Sequence, residues 1–152
     1  MKVFRITTSP FKDDISGEGA KQFGSRWNTK GVAVLYTAEH ISLAILEMLV
    51  HLQFKEVPAD YWLLQLNVPD TITATEIDAA KLKQHWQDDP SYTQFIGNEF
   101  FHSMKSALLK VPSAVVQEEY NLLANPLHPD FKKIKIIKSK AFRFDNRLFS
   151  LQ

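Results

Sequence analysis

The sequence predicts an α+β fold, a mixed or mostly antiparallel sheet with flanking helices. Three observations predict it. Short alternating or continuous apolar runs outnumber the stretches with helical spacing. The two kinds of run are interleaved along the chain rather than segregated. The 152 residues fit one domain, 1–152, long enough to bury its own core and free of repeats, low-complexity tracts and domain linkers.

Val3 to Thr8 alternates and reads as a first strand, closed by Ser9-Pro10. Phe11 to Phe23 is polar and contains Gly17 and Gly19, which predicts a loop with one helical turn. Gly24-Ser25-Arg26-Trp27-Asn28-Thr29-Lys30-Gly31 then sets an arginine, an aromatic ring and an amide between two glycines. Val32 to Thr37 is expected as a second strand, buried on both faces. Thr37 or Glu39 opens the main helix, expected to run to about Gln53. Ile41, Ala44, Ile45, Met48, Leu49 and Leu52 form one apolar stripe on it, and Leu43, Leu46 and Val50 a second. Two such stripes predict a core helix. Glu47 lies in the second, where an unpaired carboxylate is costly to bury.

Pro58 ends a short linker, and Tyr61 to Val68 is a third strand stopped by Pro69-Asp70. Thr71 to Ile77 is polar and β-branched, a short strand or an extended loop. Ala79 to Gln87 predicts a short helix. Tyr92 to Leu109 predicts a longer one, with Phe95, Phe100, Met104, Ala107 and Leu108 on its inner side. Val111 to Val116 is expected as a strand entered through Pro112, since the first strand position tolerates proline. Asn125-Pro126 and His128-Pro129-Asp130 make Asn121 to Phe131 read as a turn-rich connection. Ile134 to Phe144 alternates as one long strand or two short ones, with the lysines of Lys132 to Lys140 on its wet face.

Composition excludes several classes of function. A formal net charge of +1 gives no general pull toward nucleic acid or an anionic membrane, so neither is an expected partner. Without cysteine there are no disulfides, thiolate nucleophiles or Cys-type zinc sites. His40, His51, His85, His102 and His128 lack ligand spacing, so no metal site is expected. Neither G-x-x-x-x-G-K-S/T nor G-x-G-x-x-G occurs. Met1-Lys2-Val3-Phe4-Arg5 enters a strand pattern rather than a secretory signal. The longest apolar run, Ile41 to Leu52, is too short to span a bilayer and is interrupted by Ser42, Glu47 and His51. The expected location is the cytoplasm.

Four residues stand out chemically. The Arg26 guanidinium matches phosphate or carboxylate with paired hydrogen bonds, and flanking glycines admit a ligand close to the backbone; the plain alternative is a salt bridge at a turn. Glu47 is suited to stabilising positive charge on a sugar ring or orienting a ribose hydroxyl; the alternative is an ion pair, for instance with His51. Tyr36 either stacks on a planar ring or packs in the core. Ser113 lacks the G-x-S-x-G setting of a hydrolase nucleophile, which leaves a hydrogen-bonding role or an ordinary strand-edge serine. Together they lead to the expectation that Arg26 and Glu47 face one cleft and handle a phosphorylated nucleotide there.

In order along the chain, these pieces resemble the RES-domain family, named for an arginine, a glutamate and a serine. The matching residues are Ser16-Gly17-Glu18-Gly19-Ala20, Gly24-Ser25-Arg26-Trp27-Asn28 with Gly31, Tyr36-Thr37-Ala38-Glu39, and the helix bearing Ala44 and Glu47. Val111-Pro112-Ser113-Ala114-Val115, Asn121 through Asn125-Pro126, His128-Pro129 and Phe144-Asp145-Asn146-Arg147-Leu148 complete the match. Ser25 departs from a usual glycine, and Leu122 and Ala124 from bulkier residues. The resemblance implies a bacterial toxin of a type II toxin–antitoxin pair, with a fold similar to ADP-ribosyltransferase toxins and a helix-turn-helix antitoxin of the Xre type as partner. A toxin homodimer inside that complex is compatible with it.

The resemblance further implies that NAD is consumed as substrate and that no resident cofactor is needed. The nicotinamide–ribose bond is expected to break, with ADP-ribose passing to water or phosphate; the alternatives are transfer to a protein, or a non-catalytic interaction module. Carried onto this chain, Arg26 is expected to hold the pyrophosphate, Tyr36 to flank the nicotinamide ribose and Glu47 to stabilise the oxocarbenium-like state. Ser113 is expected to fix the ribose or nicotinamide end, with Arg5 and Asn125 as further binding residues.

Overall fold

The computed structural model describes residues 1–52 and 59–149. Its strands are β1 (Lys2–Thr8), β2 (Leu35–Ala38), β3 (Tyr61–Asn67), β4 (Thr75–Glu76), β5 (Leu108–Pro112), β6 (Tyr120–Ala124) and β7 (Lys135–Phe142). The helices are α1 (Glu18–Phe23), α2 (Ile41–Leu49) and α3 (Pro90–Ser103). All seven strands join one sheet in the order β4-β5-β6-β2-β1-β3-β7. Among the described strands only β4 and β5 run parallel, so the sheet is mixed, as expected.

The strands sort by alternation. Ile6 pairs with Leu63, and both pack with Leu43, Ala44 and Leu49 of α2. Val3 pairs with Leu66, and both join the main core with Leu35, Leu64 and Leu122 on the other face. A third cluster brings Trp27, Trp86, Phe100, Phe101, Val111 and Leu123 together, anchoring α3 and the Arg26 loop to the sheet. The β7 lysines Lys135, Lys138 and Lys140 are exposed, in keeping with a wet strand face.

Several boundaries differ from the sequence reading, each for a tertiary reason. Strand β2 starts three residues later than expected, because the Val32 carbonyl turns back to accept from the Asn28 side chain (3.0 Å). The second stripe of helix α2 is buried only in part: Leu43 is buried, while Leu46 and, just past the helix end, Val50 are exposed. The expected helix over 79–87 is two separate 3-10 turns, the first capped by Asp78. Helix α3 ends at Ser103, and Met104 takes the left-handed conformation (φ 54°). That break releases Leu108 into β5, so Pro112 closes a strand rather than opening one. Phe95 consequently faces solvent, and α3 buries Thr93, Gly97, Phe100 and Phe101. The supposed connection after Asn121 contains β6, the partner of both β2 and β5. The expected helix end at Gln53 and the linker ended by Pro58 lie outside the described residues.

One feature positions the site. Strand β1 pairs with β3 along its whole length but with β2 only at Phe4 and Ala38. Beyond that rung the Tyr36 carbonyl accepts from Nη1 of the Arg5 guanidinium (3.2 Å) instead of from a neighbouring strand of backbone.

Candidate active site

The Arg26 loop is held from three sides. Its start is turned by Gly24, whose φ of +71° is open to glycine at little cost. Inside it, Asn28 is wholly buried. Its amide donates to the carbonyls of Ala20 (2.8 Å), Val32 (3.0 Å) and Thr29 (3.2 Å), and its Oδ1 accepts from the Tyr36 hydroxyl (2.7 Å). That hydroxyl in turn accepts from the Trp27 N–H (3.0 Å). Burial raises the Tyr36 pKa well above the ordinary tyrosine value, so the phenol stays protonated as the loop's pin.

From above, α3 clamps the same loop. Thr93 Oγ1 donates to the Arg26 carbonyl (2.6 Å), and Gln94 donates to the Ser25 carbonyl (2.8 Å). Asn98 exchanges two bonds with Thr29. Gly97 lets the backbones touch: a Cβ there would lie 1.8 Å from the Trp27 carbonyl oxygen. The Arg26 guanidinium itself donates to the Gln87 carbonyl (2.8 Å). Among the described residues no carboxylate reaches salt-bridge distance of it, so the salt-bridge alternative finds no partner.

Glu47 enters from α2. Its Oε1 accepts from Ser113 Oγ (2.7 Å) and from Asn121 Nδ2 (2.6 Å). No described cation pairs with it, His51 included. Ser113 is fully buried just beyond β5. Its oxygen accepts from the N–H groups of Val115 and Val116 (both 3.0 Å), and its one proton goes to Glu47. The serine therefore sets the carboxylate through a hydrogen bond and has no second proton to offer a ligand.

Arg26, Glu47, Tyr36, His51 and Asn121 line one cavity of about 390 Å³, whose mouth carries the exposed side chains of Phe23 and Val50. A smaller cavity of about 140 Å³ adjoins it, sharing Tyr36, Glu47, His51 and Asn121 and adding Arg5. Among the described residues Arg5 also has no carboxylate at salt-bridge distance. Its Nε is buried without a hydrogen-bond partner among the described residues, and burial pulls its pKa below the usual arginine value against the pull of the Asp14 charge.

The structure thus brings together Arg26, Glu47, Tyr36 and Arg5, with Ser113 directly behind Glu47. It does not bring Asn125. That side chain is buried against the end of α3, its amide bonded to the Phe101 carbonyl (3.1 Å) and the Met104 sulfur, its oxygen to the Leu127 N–H (3.1 Å). The binding expectation for Asn125 is corrected accordingly, since every polar atom of its side chain is engaged in supporting a turn. The asparagine at the site is Asn121, which the turn-rich reading of 121–131 concealed. A polar residue opening the apolar run Leu122-Leu123-Ala124 was the available signal. Among the described residues no cluster of side chains suits a metal ion, and no helix is long and apolar enough to cross a membrane.

Comparisons with known proteins agree on one relationship. The family model for the RES domain matches residues 2–145. A curated protein named Prs ADP-ribosylating toxin, from Sphingobium sp. (strain YBL2), is 42% identical over 140 residues, covering 90% of this chain and 87% of its own. A Toxin Res from Photorhabdus laumondii subsp. laumondii is 37% identical over 151 residues, covering 97% of each. Among solved structures, a chain of the M. tuberculosis MbcT-MbcA toxin-antitoxin complex shares the fold at a TM-score of 0.76 and 21% identity, over 97% of this chain and 86% of that one.

Proposed function

This chain belongs to the RES domain family, and we propose that it is the toxin of a type II toxin–antitoxin pair that destroys NAD. The bond broken is the one between nicotinamide and ribose, and ADP-ribose passes to water or inorganic phosphate. One observation carries the reading. A guanidinium and a carboxylate, neither matched by an opposite charge among the described residues, face the same 390 Å³ cavity, a volume within the roughly 300–1,000 Å³ of small-molecule sites.

In this reading Arg26 holds the pyrophosphate with its forked donors. Tyr36 flanks the nicotinamide ribose with its ring, since its hydroxyl is bound into the loop. Glu47 stabilises the positive charge that grows on the ribose as nicotinamide departs with the bonding electron pair. Ser113 and Asn121 hold Glu47 in place through Oε1 and leave Oε2 for the sugar. Arg5 adds a second guanidinium at the floor of the site. Pyridinium leaves as neutral nicotinamide and needs no acid, so the chemistry calls for no resident cofactor.

A second reading has its own support: a relative of 42% identity is named as a toxin that ADP-ribosylates Prs, which favours a protein as acceptor. Incubation with NAD carrying a labelled adenylate, in buffer, in phosphate and in cell lysate, separates the three acceptors. Label in free ADP-ribose, in its phosphorylated form or in a protein band identifies water, phosphate or protein respectively. No nicotinamide above the enzyme-free rate in any condition would leave the non-catalytic interaction module standing.

The proposed partner is an Xre-type helix-turn-helix antitoxin that covers the cavity, with the toxin paired as a homodimer inside the assembly and both acting in the cytoplasm, where NAD is available. The likeness in fold to a chain from a toxin-antitoxin complex supports an antitoxin as partner. A co-expressed complex that still turned over NAD freely would sink the blocking model.

A further inference from the structure

The cavities beside Glu47 account for the reacting end of a dinucleotide and leave its other end unplaced. A third cavity, of about 220 Å³, lies along β1 and the segment that follows it. It shares Arg5 with the smaller Glu47 cavity and Phe23 with the larger, so it borders both.

Its walls carry three kinds of group. Phe11 and Phe23 are 53% and 76% exposed, two aromatic residues lining one chamber. Aromatic faces in such a place are stacking surfaces for a planar base. Asp14 and Glu18 supply carboxylates, the groups that accept hydrogen bonds from a ribose diol. Asp14 is already fixed by the Ser16 N–H (2.8 Å), while Glu18 is exposed and only loosely paired with Lys21 (3.6 Å). Arg5 contributes a buried Nε that no atom of the described residues satisfies, and a phosphate oxygen is a natural acceptor for it. Base, sugar and phosphate each find a matching wall.

We infer that this third chamber, formed by Phe11, Asp14, Glu18, Phe23 and Arg5, holds the adenosine half of the dinucleotide and selects NAD over its 2′-phosphorylated form. The inference rests on the proposed NAD chemistry for which end lies at Glu47. A 2′-phosphate would bring two further negative charges against Asp14 and Glu18, a like-charge contact that costs affinity. A free 2′-hydroxyl donates to the same carboxylates.

The test is calorimetric binding of ADP-ribose and 2′-phospho-ADP-ribose to the whole protein, which needs no turnover. The wild type is expected to bind ADP-ribose at least roughly tenfold more tightly than the 2′-phosphorylated ligand. The double variant Glu18→Gln, Asp14→Asn should bring the ratio to about twofold, by removing the like-charge contact. Glu18 is exposed and asparagine can retain the Asp14 cap, so the variant is built to fold. Phe11→Ala should weaken both ligands alike. Equal binding of the two ligands by the wild type, or a ratio that the double variant leaves untouched, overturns the inference. Selective binding without any nicotinamide release would instead remove the proposed activity and leave this chamber's assignment in place.

Discussion

Two charged groups face the same cavity and are held in opposite ways. Arg26 sits on a loop with little secondary structure of its own, fixed by hydrogen bonds that involve Asn28, Tyr36, Thr93 and Gln94 and by the backbone contact at Gly97. Glu47 sits on a helix anchored by apolar packing of Leu43, Ala44 and Leu49, and only its Oε1 is steered by polar partners. Hydrogen bonds are directional, so the loop has one tight geometry and little tolerance. Apolar packing fixes where α2 lies but leaves a long side chain's tip to be aimed by Ser113 and Asn121. Position comes from burial in one case and from donors and acceptors in the other.

The largest consequence concerns the tip itself. Glu47→Ala is expected to lower the rate of nicotinamide release by at least roughly 10²-fold with the protein folded, the scale of removing one preorganised electrostatic group. A soluble variant with wild-type turnover would take Glu47 out of the chemistry. Next in size, Arg26→Ala should raise KM for NAD by roughly tenfold or more, the scale of a lost charge-assisted hydrogen bond. Arg26→Lys should restore only part of it, because lysine lacks the fork. An unchanged KM would make Arg26 a structural residue.

The clamp is tested by Gly97→Ala, whose Cβ falls 1.8 Å from the Trp27 carbonyl oxygen. Either α3 or the loop must move, at a cost of about 1–3 kcal/mol in denaturant unfolding, with a raised KM and a kcat closer to wild type. Equal stability would show that α3 does not set the loop. The smallest expected effect is on pH. Burial raises the folded-state pKa of Tyr36 above its unfolded value near 10, so its contribution is complete below pH 10 and declines as the pH rises beyond it. Tyr36→Phe should flatten that alkaline limb in thermal unfolding; an identical limb would assign it to other groups.

Much of this was legible in the residues. Alternation located β1, β3 and β7, and the glycine-bounded loop marked the site, because local pattern and tertiary role agree there. The misread segments are those where tertiary contacts decide. Leu108 continues a helical pattern, yet the left-handed Met104 ends α3 and gives Leu108 to the sheet. β6 was hidden because Asn121 looked like the start of a turn, whereas its side chain is needed at Glu47. The Thr93, Gln94 and Asn98 clamp has no signature along the chain, since it depends on which face of α3 meets a loop some seventy positions away. Asn125 shows the converse: a residue chosen by resemblance proved to be part of the scaffold.

The single rung between β1 and β2 means the sheet is two slabs, β4-β5-β6-β2 and β1-β3-β7, meeting at one seam. Arg26 and Asn121 belong to the first slab's surroundings and Arg5 to the second, so a molecule wedged at the seam would act as mortar between them. Saturating it at about a hundred times Kd should add roughly 2.7 kcal/mol to resistance against unfolding, with the slowed amide exchange concentrated along the two strands that flank the joint.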